Sequence, residues 1–289
     1  MEFLKFIFSP IIAVFKFINT YFKAMIFLLI VFLIFSSGES SGIKAANLAQ
    51  INILGAIRDS SKILEEIHAA SEDEHIKGVL LFIDSPGGAL APSTELAIAI
   101  KNLRAKKPVI TYASGSMTSG SYYAGVNANK ILANPGSFIG SIGVILQAPD
   151  ISELANKIGV AQQVVKAGEF KEAGTFARKW NEAERAELQN LVRQSYDMFV
   201  SDVAKARNLD INSSYKWANA RVFLAKDAKN VGLIDELSDY YSAKTEIEKL
   251  SGVSEPIWKE KPKFEKFMDE FLQKNVDSFL DTLFVAKLK

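Results

Sequence analysis

Residues 108–123 read P-V-I-T-Y-A-S-G-S-M-T-S-G-S-Y-Y. Val109 to Ala113 is a short apolar run of the kind that forms a buried strand, and it ends in small and hydroxyl residues. Tyr122, Tyr123, Ala124 and Val126 then resume an apolar pattern at helical spacing. A strand that breaks on Ser and Gly and restarts as a helix leaves free N–H groups and a positive dipole end at the break. A serine there faces a substrate, with amides nearby to hold developing negative charge. Ser114, Ser116, Ser119 and Ser121 all compete for that role.

Upstream, Ile76 to Ile83 is a near-continuous aliphatic run, the mark of a strand buried on both faces. It ends in D-S-P-G-G at 84–88, where Pro86 blocks the strand and the two glycines permit close backbone approaches. The stretch reads either as a plain strand-to-helix turn or as a backbone N–H aimed at a substrate carbonyl. Ser93 and Glu95 then precede an apolar helix, Leu96 to Leu103. Ala46 to Ile57 reads as an earlier strand ending in a turn. Ser60 and Ser61 cap an amphipathic helix through Ile63, Leu64, Ile67 and Ala70. His68 and His75, the only histidines, read as solvated or capping residues.

Downstream, Lys130 to Ala133 reads as a strand, 134–136 as a turn and Ile142 to Leu146 as a strand. Ile151 to Ile158 reads as a helix and Ala161 to Lys166 as a strand leading into a lysine-bearing loop. Asn181 to Arg207 is a long amphipathic helix capped at or near Asn181. The alternation is that of an α/β domain. Residues 255–262 read as a linker, and apolar residues recur at helical spacing from Phe264 to Leu288. That last helix suits packing on the body or a neighbour, with the membrane surface as the alternative.

The chain has 289 residues, 48% hydrophobic, with net charge +1, which gives no reason to expect nucleic acid as a partner. Cysteine is absent, excluding disulfides, thiolate metal sites and a cysteine nucleophile. Residues 3–37 are apolar and aromatic, interrupted by Lys5, Lys16 and Lys23. Phe17 to Ser37 approaches the roughly 20 residues that span a bilayer. It reads as an uncleaved anchor; a cleaved signal peptide is the rival, and no clear small-x-small site follows Phe35. Lys5 and Lys16 precede the span and Lys23 is tolerated near its start, so the positive-inside rule leaves the N-terminus in the cytoplasm and exports the rest. The expected divisions are 1–38, N-terminus and anchor; 45–250, the catalytic-type domain; and 255–289, linker and C-terminal helix.

With these stretches together, the sequence resembles the signal peptide peptidase A family, membrane-bound serine–lysine peptidases. The matching residues are I-D-S-P-G-G at 83–88, G-S-M-T-S-G-S-Y-Y at 115–123, G-S-I-G-V at 140–144, K-A-G-E-F-K at 166–171 and V-G-L-I-D-E-L at 231–237. The resemblance implies a Clp/crotonase-like fold of repeated ββα units. It places the nucleophile at Ser119, the general base at Lys171 and a lysine-orienting hydroxyl at Ser141. The oxyanion donors fall on the backbone N–H groups of Gly88 and Gly120. Ser121 stands where glycine is common in the family. No cofactor or metal is implied. Peptide substrates, the lipid bilayer and a homo-oligomeric ring are the implied partners, with Lys171 serving Ser119 of an adjacent chain.

The chemistry is consistent with those residue types. Serine needs a base within hydrogen-bond reach, and no histidine follows Ser119. A lysine serves only when neutral; bringing an ammonium from about 10.4 to near 7 takes about 4–5 kcal/mol of environmental bias. Phe170 and Phe176 flank Lys171 and are expected to supply apolar cover, with Glu169 and Glu172 turned away. On sequence grounds alone Lys166 and Lys179 are rivals, and a turn serine between Ile139 and Ile142 is the lesser alternative for Ser141. The expected function is a membrane-anchored endopeptidase degrading cleaved signal peptides and other apolar peptides. A related Ser–Lys peptidase specific for a membrane protein and a non-catalytic crotonase-like scaffold are the alternatives.

Overall fold

The computed structural model describes residues 2–36 and 45–260. The chain divides into two units, residues 1–45 and 46–289. In the first, α1 (Glu2–Ser36) is one continuous helix. Its segment Val14–Phe32 has 19 residues of mean hydropathy 1.7, long and apolar enough to cross a membrane.

The second unit is built on strands that the aliphatic runs dictate. β1 (Leu48–Leu54), α2 (Ser61–Glu72), β2 (Gly78–Ser85), α3 (Leu90–Lys106) and β3 (Val109–Thr118) alternate along the chain, followed by α4 (Gly120–Gly125) and β4 (Lys130–Ala133). Then come β5 (Phe138–Gly140), α5 (Ser152–Lys157), α6 (Glu182–Arg207), α7 (Ser214–Trp217), β6 (Val222–Leu224), α8 (Ala225–Asn230), β7 (Glu236–Leu237) and α9 (Tyr240–Leu250). The main sheet runs β1-β2-β3-β4-β7 with every pair parallel, and each crossover carries a helix or a longer excursion. The α/β class expected from the sequence is therefore the class observed.

Both sheet faces are covered. Ile51, Ile53, Val79, Leu81 and Ile83 join the larger core with α2, α3 and α6. The alternate residues Leu48, Leu80, Ile110 and Tyr112 meet Ala243 and Ile247 of α9. Fully burying one such Leu or Ile contributes about 1.5–3 kcal/mol, which is why the strands read as continuous apolar runs.

Four expectations are corrected. β3 does not stop at Ala113 but continues to Thr118. Two extra β3 residues are absorbed between the pairs Ile83↔Ala113 and Ser85↔Met117, where the Ser116 N–H donates to Asp84 at 2.9 Å. The second half of β3 then pairs with β5, and β5 pairs antiparallel with β6. α3 starts at Leu90, six residues before the expected Leu96, because Pro92 sits in the first helical turn, where its missing N–H costs nothing. Residues 142–146 and 161–166, expected as strands, form none, since among the described residues no neighbouring strand pairs with either. Finally, α2 has Ser60 at its N-cap without a side-chain bond; Asp59 instead accepts from the Ser61 N–H at 3.2 Å.

Residues 255–260, expected as part of a linker, run along the outer edge of β1. Asn47 and Leu48 N–H groups donate to Ile257 O, and Lys259 N–H donates to Leu48 O. That pairing covers an otherwise open edge. The helix expected from Phe264 to Leu288 lies outside the described residues.

Candidate active site

β3 ends at Thr118 and α4 begins at Gly120, so Ser119 alone makes the corner. It takes φ 53° and ψ −125°, a conformation that costs a non-glycine residue of order 1–3 kcal/mol. Its N–H donates to Gly140 O at 2.7 Å, and its carbonyl accepts from the Tyr123 N–H at 3.0 Å. Its side chain caps nothing in α4. Ser119 lines a cavity of about 190 Å³ together with Gly88, Leu90, Tyr123, Ile145 and Phe199.

The loop after β2 faces the same corner. The Ile57 N–H donates to Gly87 O at 2.9 Å, and the Ala89 N–H donates to Ile57 O at 2.8 Å. In a trans peptide the N–H points opposite to the C=O, so Gly87 O bound to Ile57 turns the Gly88 N–H the other way. Gly88 must lack a side chain, because a Cβ there would meet Ile57 O at 2.0 Å. Gly120 is held as closely: its Cβ would stand 2.1 Å from Ser93 Oγ and 3.2 Å from Gly88 N. Among the described residues, neither the Gly88 nor the Gly120 N–H is donated to a protein acceptor.

Ser141 follows Gly140, whose carbonyl holds the Ser119 N–H. It has φ 50° and is half-buried, and its own N–H donates to Arg221 O at 2.7 Å. Ala220 N–H donates in turn to Ile142 O at 2.8 Å. Among the described residues, five non-glycine residues have positive φ: Ser119, Ser141, Asn208, Asn219 and Ala220. Asn208 is the left-handed C-cap of α6, a routine use. The other four converge on this one corner, the clustering expected of a functional site.

Lys171 is elsewhere. It sits in a run of turns where its N–H donates to Gly168 O at 3.3 Å; its side chain is exposed and lines no part of the cavity. Phe170 and Phe176 are 43% and 54% exposed, so the expected apolar cover is not built within one chain. Within the single chain, Glu172 is engaged by other cations. Its carboxylate accepts from Arg178 and Lys166 at 3.0 Å each, and those bonds hold it below the usual carboxylate range. Arg178 also grips the buried Glu184 carboxylate at 2.6 and 2.8 Å, which holds that carboxyl down to about 2. Asn181 and Glu184 close a capping box at the start of α6. The lysine-bearing loop is thus anchored by ion pairs while its lysine points to solvent.

The roles of three residues escaped sequence reading. Ser93 is fully buried against Gly120, its Oγ donating to Ala89 O at 2.8 Å. Tyr123 stacks on Phe199 at 4.5 Å and donates its hydroxyl to Asp202; burial, then that carboxylate, push the phenol pKa up. Ser121, one of the four competing serines, is fully buried and outside the cavity lining. Only Ser121 carried a signal, its departure from glycine. The V-G-L-I-D-E-L stretch proves structural: Arg207 of α6 holds Asp235 in a two-pronged pair at 2.7 and 3.0 Å, and Asp235 accepts the Ile131 N–H of β4. Among the described residues no His, Asp or Glu cluster is suited to a metal ion.

The model of peptidase family S49 matches residues 101–254. A protein of Methanocaldococcus jannaschii named as a protease is 35% identical over 199 residues, 69% of this chain and 64% of its own length. An Enterococcus faecium protein named as a signal peptide peptidase is 34% identical over 175 residues, 60% of this chain and 51% of its own. The match thus spans less than two thirds of either relative. Among solved structures, ClpP1 of Listeria monocytogenes aligns over 67% of this chain and 93% of its own, at 15% identity and a TM-score of 0.47.

Proposed function

The chain belongs to peptidase family S49, a serine-type family, and from that premise we propose that it is a membrane-anchored endopeptidase with a Ser119–Lys171 dyad. The reading rests above all on one observation. Ser119 sits at a strained corner beside a cavity, next to two backbone N–H groups that find no acceptor among the described residues.

In this reading Ser119 Oγ attacks the scissile carbonyl carbon while the neutral Lys171 amine takes its proton. The carbonyl oxygen becomes an oxyanion held by the Gly88 and Gly120 N–H groups; each such donor is worth roughly 10²–10³ in rate. Collapse breaks the C–N bond, and the lysine ammonium returns its proton to the leaving amine. Water, deprotonated by the same amine, then attacks the acyl-enzyme, releases the acid and restores the serine. Ser141 orients the amine without the charge that would hold it protonated.

Lys171 reaches Ser119 from an adjacent chain in a ring. Two features favour this: the exposed lysine within its ion-paired loop, and the exposed apolar residues Ile145, Leu154, Ile158, Val165, Phe170 and Phe176 in the same stretch of sequence. Burial at a subunit contact supplies the desolvation a neutral lysine needs. The substrates are apolar peptides, including cleaved signal peptides. The cavity suits them because Ala89, Leu90, Val144, Ile145 and Phe199 line it. α1 anchors the enzyme as a single pass in the cytoplasmic membrane, with the catalytic unit on the extracytoplasmic side.

The test is labelling of detergent-solubilised full chain with a fluorophosphonate probe, followed by mapping of the adduct. An adduct on Ser119, lost in both Ser119→Ala and Lys171→Ala, is expected. Equal labelling of wild type and Ser119→Ala would remove the nucleophile, and undiminished peptide cleavage by Lys171→Ala would remove the base.

A further inference from the structure

Ser121 occupies a position for which the catalytic scheme has no use, yet its side chain is fully buried and fully engaged. Its Oγ accepts the Thr118 N–H at 2.9 Å and lies 2.7 Å from Ser85 O and 2.9 Å from Thr118 O. One hydroxyl proton serves one acceptor at a time, and Ser85 O is the nearer. Thr118 is the last residue of β3 and Ser85 the last of β2. The Ser85 hydroxyl in turn accepts the Gly87 N–H at 3.1 Å, one residue before Gly88. A chain of three hydrogen bonds therefore joins the corner that carries Ser119 to the loop that carries Gly88.

We propose that Ser121 is a positioning residue, a latch that holds the nucleophile corner in register with the oxyanion loop. This rests on the roles given above to Ser119, Gly88 and Gly120. Without the hydroxyl, the Thr118 N–H and Ser85 C=O lose their buried partner. The left-handed φ of Ser119 also loses a restraint immediately before it. The distance from Ser119 Oγ to the Gly88 N–H matters most once the oxyanion forms. Loss of the latch therefore acts on kcat and leaves KM nearly unchanged.

Two substitutions separate this role from packing. Ser121→Ala removes the hydroxyl, whereas Ser121→Cys keeps a group of similar size but only a weak donor. The readouts are kcat and KM on an apolar fluorogenic peptide, and the affinity of a peptide aldehyde. The serine oxygen adds to the aldehyde carbon to form a hemiacetal whose oxygen occupies the oxyanion site. Both variants are expected to lose at least tenfold in kcat with KM within twofold, and to bind the aldehyde weaker by a similar factor. Wild-type kcat and aldehyde affinity in Ser121→Cys would overturn the latch, and that variant decides the matter if Ser121→Ala does not fold. Ser119→Ala separates the two layers. If it retains activity, the underlying assignment fails; if it is inactive while Ser121→Cys is unimpaired, the latch alone fails.

Discussion

Replacing Gly120 with alanine tests the tightest contact at the site. The added methyl would stand 2.1 Å from Ser93 Oγ and 2.9 Å from Ser93 Cβ, more than 1 Å inside ordinary contact with the oxygen. Overpacking of that kind costs about 1–3 kcal/mol. Alanine recovers up to about 1 kcal/mol of helix propensity over glycine in α4. The expected net loss is about 1–2 kcal/mol in thermal or denaturant unfolding of the full chain in detergent. Ser93→Ala leaves the 2.9 Å clash with Cβ, so it relieves the strain only in part. Ser93→Gly removes both atoms, at about 1 kcal/mol for a glycine within α3. In the Ser93→Gly background, Gly120→Ala should therefore be milder by about 1–2 kcal/mol, measured as the coupling of a double-mutant cycle. Activity should not follow stability. The methyl still stands 3.2 Å from Gly88 N, crowding the proposed oxyanion site, so kcat should stay down by about 10²-fold in both backgrounds. A Gly120→Ala protein that melts like wild type, with no coupling to Ser93, would refute the close approach of the Ser93 side chain to the Gly120 backbone.

Two further outcomes concern stability. Burial, the largest influence on Asp235, pushes its carboxyl up, but Arg207 and the Ile131 N–H outweigh it and leave the group below the usual carboxylate range. A depressed carboxyl stabilises the fold above its unfolded pKa, about 3.9, and that contribution is lost as pH falls through the folded value. Asp235→Asn should cost about 2 kcal/mol near neutrality and lose that increment of acid sensitivity, checked by unfolding between pH 2 and 7 on the order of one unit apart. Asn181→Ala should cost about 1 kcal/mol through loss of the α6 cap, read as a shifted denaturation midpoint with unchanged slope.

Much of the frame was legible because strands buried on both faces must be continuously apolar. Ile76 to Ile83 and Val109 to Ala113 announced β2 and β3, and helical spacing with an Asn cap announced α6. The rest of β3 was not legible. Ser114 to Thr118 looks like a turn, and only the carboxylate of Asp84, distant in sequence, lets Ser-Gly-Ser bulge while the strand continues. Residues 142–146 misled in the opposite sense: I-G-V-I-L has strand propensity, but a strand needs a partner and none of the described residues supplies one. At the site, the close backbone approach made the Gly87-Gly88 pair legible, whereas the residues alone left Ser119 one of four candidate serines and only the family resemblance singled it out. Ser93 was hidden, since a serine in an apolar helix looks like any other until its contact with Gly120 is seen. The missing apolar cover on Lys171 could not be read either, because burial between chains, as proposed above, would leave no periodic pattern in one of them.

The dyad across a subunit boundary is tested most directly by mixed assemblies. Ser119→Ala and Lys171→Ala chains, co-expressed with different tags and purified through both, each lack one half of the site and should be inactive alone. If each site takes its serine and lysine from different chains of a ring, random mixing leaves about a quarter of the sites with both intact. Peptide cleavage should therefore return to about a quarter of the wild-type rate on this statistical estimate. Mixed assemblies that contain both chains yet remain as inactive as either parent would contradict a dyad shared between neighbours.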